Sequence, residues 1–157
     1  MKKKFQKKSV FLYGLGDRKS DYRSLEKYFL VPKIDWNRER IIPKLGKRVD
    51  VLVGFSFGGI LGCLHAMKHN VGTLVLCSLP PGLETLEKVR AEKVIFMAGE
   101  REEWCIKDLK RIARTLPRYL WKIVIVPKAD HKIVGNYKKE LLKIVSDAKN
   151  ETVGDVS

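Results

Sequence analysis

The sequence lacks long apolar runs, and no stretch approaches the roughly 18 consecutive apolar residues that a membrane-spanning helix requires. A basic N-terminal segment precedes an apolar stretch at 10–15, but this stretch is broken by Gly14 and Gly16 and closed by Asp17, so it does not fit a secretory signal. Cysteines number only three, an odd count that argues against a disulfide framework. We therefore expect a cytoplasmic protein whose reduced cysteines belong to the core: Cys63, Cys77 and Cys105.

Acidic residues are also scarce, with 18 Asp and Glu against 32 Lys and Arg, which leaves a formal net charge of +14. Such a charge would attract nucleic acid, anionic lipid or acidic substrates. The basic residues are spread along the chain, however, and few aromatic residues are interleaved with them in the manner of a nucleic-acid-binding surface. We interpret the charge as a solubilising surface, with nucleic acid as a less favoured partner and no membrane partner.

Complete motifs for metals and nucleotides are missing. His65 and His69 lie four residues apart, as zinc ligands can, but no third ligand accompanies them and Ala66 stands where a metalloprotease has its glutamate. Gly14-Leu15-Gly16 could begin a dinucleotide-binding fingerprint, but Lys19 occupies the position of the third glycine. We therefore expect neither a metal nor an organic cofactor.

Short apolar runs alternate along the chain with segments of helical periodicity. Strands are predicted at 9–13, 49–53, 73–77, 93–98 and 121–126, with a further short strand around Ile34. Helices are predicted at about 20–30, 57–69 and 83–89, before Pro117 and from about 134 to 145, with a weaker one at 38–45. The alternation predicts an α/β fold, a three-layer sandwich with a mainly parallel sheet of about five or six strands. We expect one domain at 9–148, after a basic leader at 1–8 and before a flexible tail at 149–157.

A serine between glycines, in Gly54-Phe55-Ser56-Phe57-Gly58, follows one of the predicted strands and opens a predicted helix. A strand that turns directly into a helix makes a tight corner, and small residues on either side let the two backbones pass. Such a turn exposes the serine Oγ at the carboxyl end of the sheet, beside the first N–H groups of the helix. Ser56 is therefore the candidate nucleophile.

Further polar side chains follow two other predicted strands. Because ligands bind beyond the carboxyl ends of parallel strands, we expect these side chains to share one crevice with Ser56. A serine hydroxyl needs an imidazole to take its proton, and a carboxylate to fix the imidazole tautomer. The candidate base is His131, and three glutamates compete for the role of the acid: Glu100, Glu102 and Glu103.

The order serine, carboxylate, histidine, each after a strand, resembles the α/β-hydrolase family over about residues 10–145. Gly54-Phe55-Ser56-Phe57-Gly58 looks like the nucleophile elbow of that family. Tyr13-Gly14-Leu15-Gly16 sits where such enzymes carry a His-Gly-x-Gly-like turn, so the resemblance implies an oxyanion hole made by the N–H groups of Leu15 and Phe57. Gly99-Glu100-Arg101-Glu102 is similar to the turn that supplies the acid, which makes Glu102 the aligned candidate, and His131 stands where the family places its histidine.

The resemblance is closest to small, lidless members, because only residues 78–92 lie where many of these hydrolases insert a lid. It implies a serine hydrolase of carboxylesterase-like activity that cleaves an ester or related acyl bond of a small molecule through a Ser-His-acid triad and an acyl-enzyme. The alternatives are a non-catalytic binding or scaffold protein with this fold and, less favoured, a basic nucleic-acid-binding protein.

Overall fold

Five parallel strands form one sheet in the computed structural model, which describes residues 8–37, 41, 44–46 and 48–151. The strands are β1 (Ser9–Leu12), β2 (Val49–Phe55), β3 (Val71–Cys77), β4 (Ala91–Gly99) and β5 (Trp121–Val126), and they lie side by side in the order of the sequence. All residues of β1 and β3 are buried, as expected for parallel strands that are covered on both faces.

Among the described residues, three α-helices and two 3₁₀ helices connect or follow the strands. They are α1 (Phe57–Ala66), α2 (Glu103–Ala113) and α3 (Gly135–Glu151), with 3₁₀ helices at Lys19–Leu25 and Arg118–Leu120. None of the described helices is both long enough and apolar enough to cross a membrane.

The helices cover both faces of the sheet. Leu52 and Leu74 are register partners on one face, where α1 approaches them at Gly62. Phe55 points to the opposite face because side chains alternate along a strand, and there its ring packs edge-on against Tyr137 of α3. Right-handed crossovers that advance in one direction also put α2 on the face of α1. The predicted three-layer α/β sandwich is confirmed.

The chain changes direction across the sheet between β1 and β2. Leu30 forms an isolated parallel bridge with Val10 on the free side of β1, whereas β2 pairs with the other side. The chain therefore leaves β1 in one direction and returns past it in the other, which creates a switch point between β1 and β2. Open α/β sheets bind ligands in the crevice above such a point. This bridge at Leu30 replaces the short strand predicted around Ile34.

Two predicted helices differ from the structure. The segment predicted as a helix at about 20–30 is a 3₁₀ helix at Lys19–Leu25 with a kink at Tyr22, whose hydroxyl donates to Asp17 and whose ring packs on Phe11. The segment at 83–89 is not helical, because Leu86 donates its backbone N–H to the Thr115 hydroxyl instead.

The ends of the chain and one internal segment are described only in part. Most of the predicted helix at 38–45 lies outside the described residues, as do residues 1–7 of the predicted leader and 152–157 of the predicted tail. Helix α3 continues to Glu151, three residues beyond the predicted end of the domain at 148.

Close backbone approach explains two glycines at the turn from β2 into α1. A Cβ on Gly54 would lie 2.5 Å from the Gly59 Cα, and a Cβ on Gly58 would lie 2.6 Å from the Tyr13 carbonyl oxygen. Both neighbours are backbone atoms of packed elements and cannot rotate away. The turn therefore requires glycine at both positions.

We predict that Gly58→Ala lowers the free energy of unfolding by about 1–3 kcal/mol, because the added methyl overlaps fixed backbone of β1 and its turn. Gly62→Ala is the matched control, since its Cβ would make ordinary contacts of 3.5 Å with Leu74 and 3.8 Å with Leu52. Alanine there should leave stability unchanged or raise it by up to about 1 kcal/mol. Urea unfolding measures both, and equal effects at the two glycines would contradict the close-approach argument.

Candidate active site

Ser56 occupies a strained turn directly above the switch point. Its φ of 55° and ψ of −125° are unusual for a residue with a side chain. The Ser56 N–H donates to the Cys77 carbonyl oxygen at 2.8 Å, which ties the turn to the end of β3. The Ser56 Oγ lies 3.1 Å from the Nε2 of His131. The serine is thus held within hydrogen-bonding distance of a base.

His131 lies in the segment that follows β5 and is oriented from both sides. Its ring packs against Phe55 with a centroid distance of 5.0 Å and against Trp104 at 5.9 Å. Its Nδ1 lies 2.6 Å from Glu102 Oε1. A carboxylate accepts the Nδ1–H at this distance, which leaves Nε2 as the acceptor for the Ser56 hydroxyl.

Glu102 is a nearly fully buried carboxylate, with 3 % of its surface exposed. Its second oxygen, Oε2, accepts the Gly99 N–H and the Ser78 hydroxyl, each at 2.7 Å. Burial is the largest single influence on the Glu102 pKa and raises it, but the hydrogen bonds from His131, Gly99 and Ser78 together outweigh burial. The net effect holds the pKa of Glu102 below its ordinary value of 4.5.

The other acidic candidates are engaged elsewhere or face solvent. Glu100 accepts the Lys128 N–H at 2.8 Å, and Glu103 is an exposed residue at the start of α2. Asp130, next to the histidine in sequence, is exposed and pairs with Arg101 at 3.3 Å. Of these carboxylates, the structure brings only Glu102 to His131.

A close contact between two loops makes that pairing possible. A Cβ on Gly99 would overlap the Ala129 carbonyl oxygen, so the loop after β4 lies directly on the segment that leads to His131. The Arg101 N–H also donates to the Ala129 carbonyl at 3.1 Å. Glycine at the end of β4 therefore brings the carboxylate and the imidazole together.

The predicted oxyanion turn lies against the serine. A Cβ on Gly14 would be 3.3 Å from the Ser56 Cβ, so the turn after β1 packs directly on the turn that carries Ser56. Leu15 lines the same cleft as Ser56, and Phe57 is the first residue of α1, where backbone N–H groups lack carbonyl partners within the helix. The N–H groups of Leu15 and Phe57 remain the candidate oxyanion donors.

Ser56 and His131 open into a surface cleft of about 650 Å³. The cleft mixes apolar residues, such as Leu15 and Val134, with the charged residues Asp17 and Lys132. Residues 78–90, all within the described part of the chain, connect β3 to β4 without a helix or strand that could cover the cleft. Among the described residues, no group of three or more His, Cys, Asp or Glu side chains could hold a metal ion.

Two residues of this region were not predicted to belong to the site. Ser78 directly follows β3 and is fully buried, and its Oγ lies 2.8 Å from the hydroxyl of Tyr137 as well as 2.7 Å from Glu102. The sequence pattern marks Tyr137 only as an apolar position of the last helix. A signal for Ser78 did exist, because it is a polar residue at the carboxyl end of a buried strand.

No protein-family model and no curated protein matches the sequence. Solved structures do resemble the fold. Esterase PE8 matches with a TM-score of 0.68 at 15% identity, over 90% of this chain and 92% of that one. An alpha/beta hydrolase family protein from Desulfitobacterium hafniense matches with a TM-score of 0.68 at 11% identity, over 91% and 96% of the two chains.

MenH from S. aureus is similar as well, with a TM-score of 0.66 at 12% identity over 92% of this chain and 94% of that one. At sequence identities this low, the similarity concerns the fold alone. The chain has a small α/β-hydrolase fold, and the predicted resemblance is confirmed at that level.

The depressed Glu102 pKa predicts a specific loss of stability in acid. As pH falls, the unfolded chain takes up a proton on this carboxyl first, so the stabilisation is complete above pH 4.5 and is lost as pH falls through the lower folded pKa. We expect Glu102→Gln to flatten the decline of the unfolding free energy below pH 4.5. Exposed Glu103→Gln is the control and should keep the wild-type slope. Denaturant titrations at several pH values measure the slopes, and identical slopes for Glu102→Gln and wild type would contradict the assignment.

Proposed function

We propose that this protein is a carboxylesterase-like serine hydrolase that cleaves an ester or related acyl bond of a small molecule. The observation that carries the proposal is the continuous path from Ser56 Oγ to His131 Nε2, at 3.1 Å, and from His131 Nδ1 to Glu102, at 2.6 Å. The path begins on a strained turn and ends on a buried carboxylate, which is the arrangement that activates a serine hydroxyl.

In the proposed reaction, the Ser56 Oγ attacks the acyl carbonyl while His131 Nε2 takes the hydroxyl proton. The negative charge that develops on the carbonyl oxygen is stabilised by the N–H groups of Leu15 and Phe57. His131 then gives its proton to the leaving group, and the acyl group stays on Ser56. Water, activated by His131, releases the acid and restores the serine. Glu102 stabilises the imidazolium and fixes its orientation throughout.

The character of the cleft supports a small substrate. Its volume of about 650 Å³ lies within the range of small-molecule sites, and apolar side chains beside charged ones could contact both an acyl chain and a polar leaving group. The esterase and the alpha/beta hydrolase among the similar structures favour the same class of reaction, by analogy of fold. A cytoplasmic location is part of the proposal and is supported by the three buried, unpaired cysteines.

A binding or scaffold protein with the same fold is the main alternative. Such a protein would not need a histidine within 3.1 Å of a half-buried serine, nor a carboxylate buried behind that histidine. Nucleic-acid binding rests on the charge of +14 alone. A gel-shift titration at low salt that shows no complex would remove that alternative.

We predict that a fluorophosphonate probe modifies the wild-type protein once, at Ser56, and that the Ser56→Ala variant is not modified. On a panel of short-chain esters, Ser56→Ala should lose at least roughly 10³-fold in kcat, because the nucleophile is gone. Ser20→Ala, which changes an exposed serine, is the matched control and should keep both labelling and activity. Intact mass and peptide mass spectrometry locate the adduct. A wild type that resists the probe, or a variant that is still modified, would refute the proposal.

A further inference from the structure

A buried chain of hydroxyl groups continues behind the triad carboxylate. The Tyr137 hydroxyl lies 2.8 Å from Ser78 Oγ, which in turn lies 2.7 Å from Glu102 Oε2. Resting on the proposed function, we propose that Ser78 and Tyr137 are positioning residues, which hold the Glu102 carboxylate charged and aimed at His131. They act through Glu102 and do not reach the substrate.

The direction of the hydrogen bonds follows from the chemistry of the groups. A carboxylate can only accept, so the Ser78 O–H donates to Glu102 and the Ser78 oxygen is left to accept the Tyr137 O–H. Burial raises the pKa of Tyr137 well above its ordinary value, which keeps the phenol protonated as the donor. The Ser78 hydroxyl thus has one defined orientation, and the Tyr137 hydroxyl makes a shorter contact with Ser78, at 2.8 Å, than with its other acceptor, the Met97 carbonyl oxygen, at 3.4 Å.

The backbone at Ser78 indicates that its hydroxyl has a function. Its φ of 51° lies in the left-handed region that favours glycine, and its N–H is fixed by the Met97 carbonyl at 2.7 Å. Glycine would adopt this conformation without strain but would leave Glu102 Oε2 with the Gly99 N–H alone. The strained serine keeps the second donor in place.

The groups around Glu102 make that donor important. Among the described residues, four titratable groups interact with the carboxylate: His131 after β5, Tyr137 from α3, Cys77 from β3 and Cys105 from α2. Burial raises the pKa of both thiols, so they stay neutral beside the carboxylate and neither repel nor neutralise its charge. The carboxylate therefore depends on donated hydrogen bonds. Because the Ser78 hydrogen bond lowers the pKa of Glu102, loss of that hydroxyl should raise the Glu102 pKa.

The test compares Ser78→Ala, Ser78→Gly and Tyr137→Phe with Ser9→Ala as the matched control. Ser9 is also buried, but its Oγ has no hydrogen-bond partner among the described residues. For Ser78→Ala and Ser78→Gly alike, we expect kcat to fall about tenfold with KM changed less than about twofold, and the acid limb of the pH–rate profile to move up by about one pH unit. Tyr137→Phe should shift the limb in the same direction by less, because it acts through Ser78. Ser9→Ala should leave the limb in place.

A second readout does not need activity. Carbon-13 NMR titration of the Glu102 carboxyl should give a pKa about one unit higher in both Ser78 variants than in wild type. A wild-type profile for Ser78→Gly would show that only the backbone conformation matters, and an unmoved Glu102 titration in Ser78→Ala would exclude a role in positioning. If the wild type neither hydrolyses esters nor reacts with the phosphonate, the proposed function fails. The NMR titration would still show whether Ser78 and Tyr137 keep the Glu102 carboxylate charged.

Discussion

The site depends on the hydrogen bonds that stabilise the buried negative charge of Glu102. An isolated buried carboxylate would cost several kcal/mol and would become protonated instead. Here three donors offset that cost: the Gly99 N–H at the end of β4, the Ser78 hydroxyl after β3 and His131 after β5. Each donor comes from the carboxyl end of a different strand. The parallel sheet therefore holds the charge, and the charge in turn fixes the histidine.

Two features of the backbone, close contacts at glycines and strained turns, bring the other groups of the site close to Glu102. Glycines let backbones touch, at Gly54 and Gly58 around the serine turn and at Gly99 beneath the histidine loop. Strain at Ser56 and Ser78 is maintained because both turns are tied by backbone hydrogen bonds to the neighbouring strand. Both devices act within the backbone, and together they set the positions of the turns that carry Ser56, Ser78 and His131.

The parts of the structure that could be predicted are those whose signal lies within a short stretch of the sequence. The turn at Ser56 was predictable because its signal is local, with glycines, an apolar run and a helical segment all within a short stretch. The strands were predictable for the same reason, as continuous buried runs in a parallel sheet. The 3₁₀ helix at Lys19–Leu25 was not predictable. There, the contact of Tyr22 with Phe11 and its hydrogen bond to Asp17 override the helical periodicity of the sequence.

Hydrogen-bond partners that lie far apart in the sequence could not be predicted either. Ser78 and Tyr137 are 59 residues apart, and a buried tyrosine at a helical position carries no sign of a polar partner. Glu102 was distinguished from Glu100 and Glu103 only through resemblance to a family. In the structure, its burial and its contact with His131 make the distinction physically.

Within the described part of the chain, residues 78–90 form no helix or strand over the cleft, which matters for the proposed chemistry. Enzymes with closing lids exclude water before the charged transition state forms, which strengthens the hydrogen bonds to it. Here Leu15, Trp104 and Val134 stay largely exposed beside Ser56 and His131. A substrate that covers these side chains would itself remove water from the proposed oxyanion site. In the proposed hydrolase, the apolar area of the substrate therefore contributes to the rate as well as to binding.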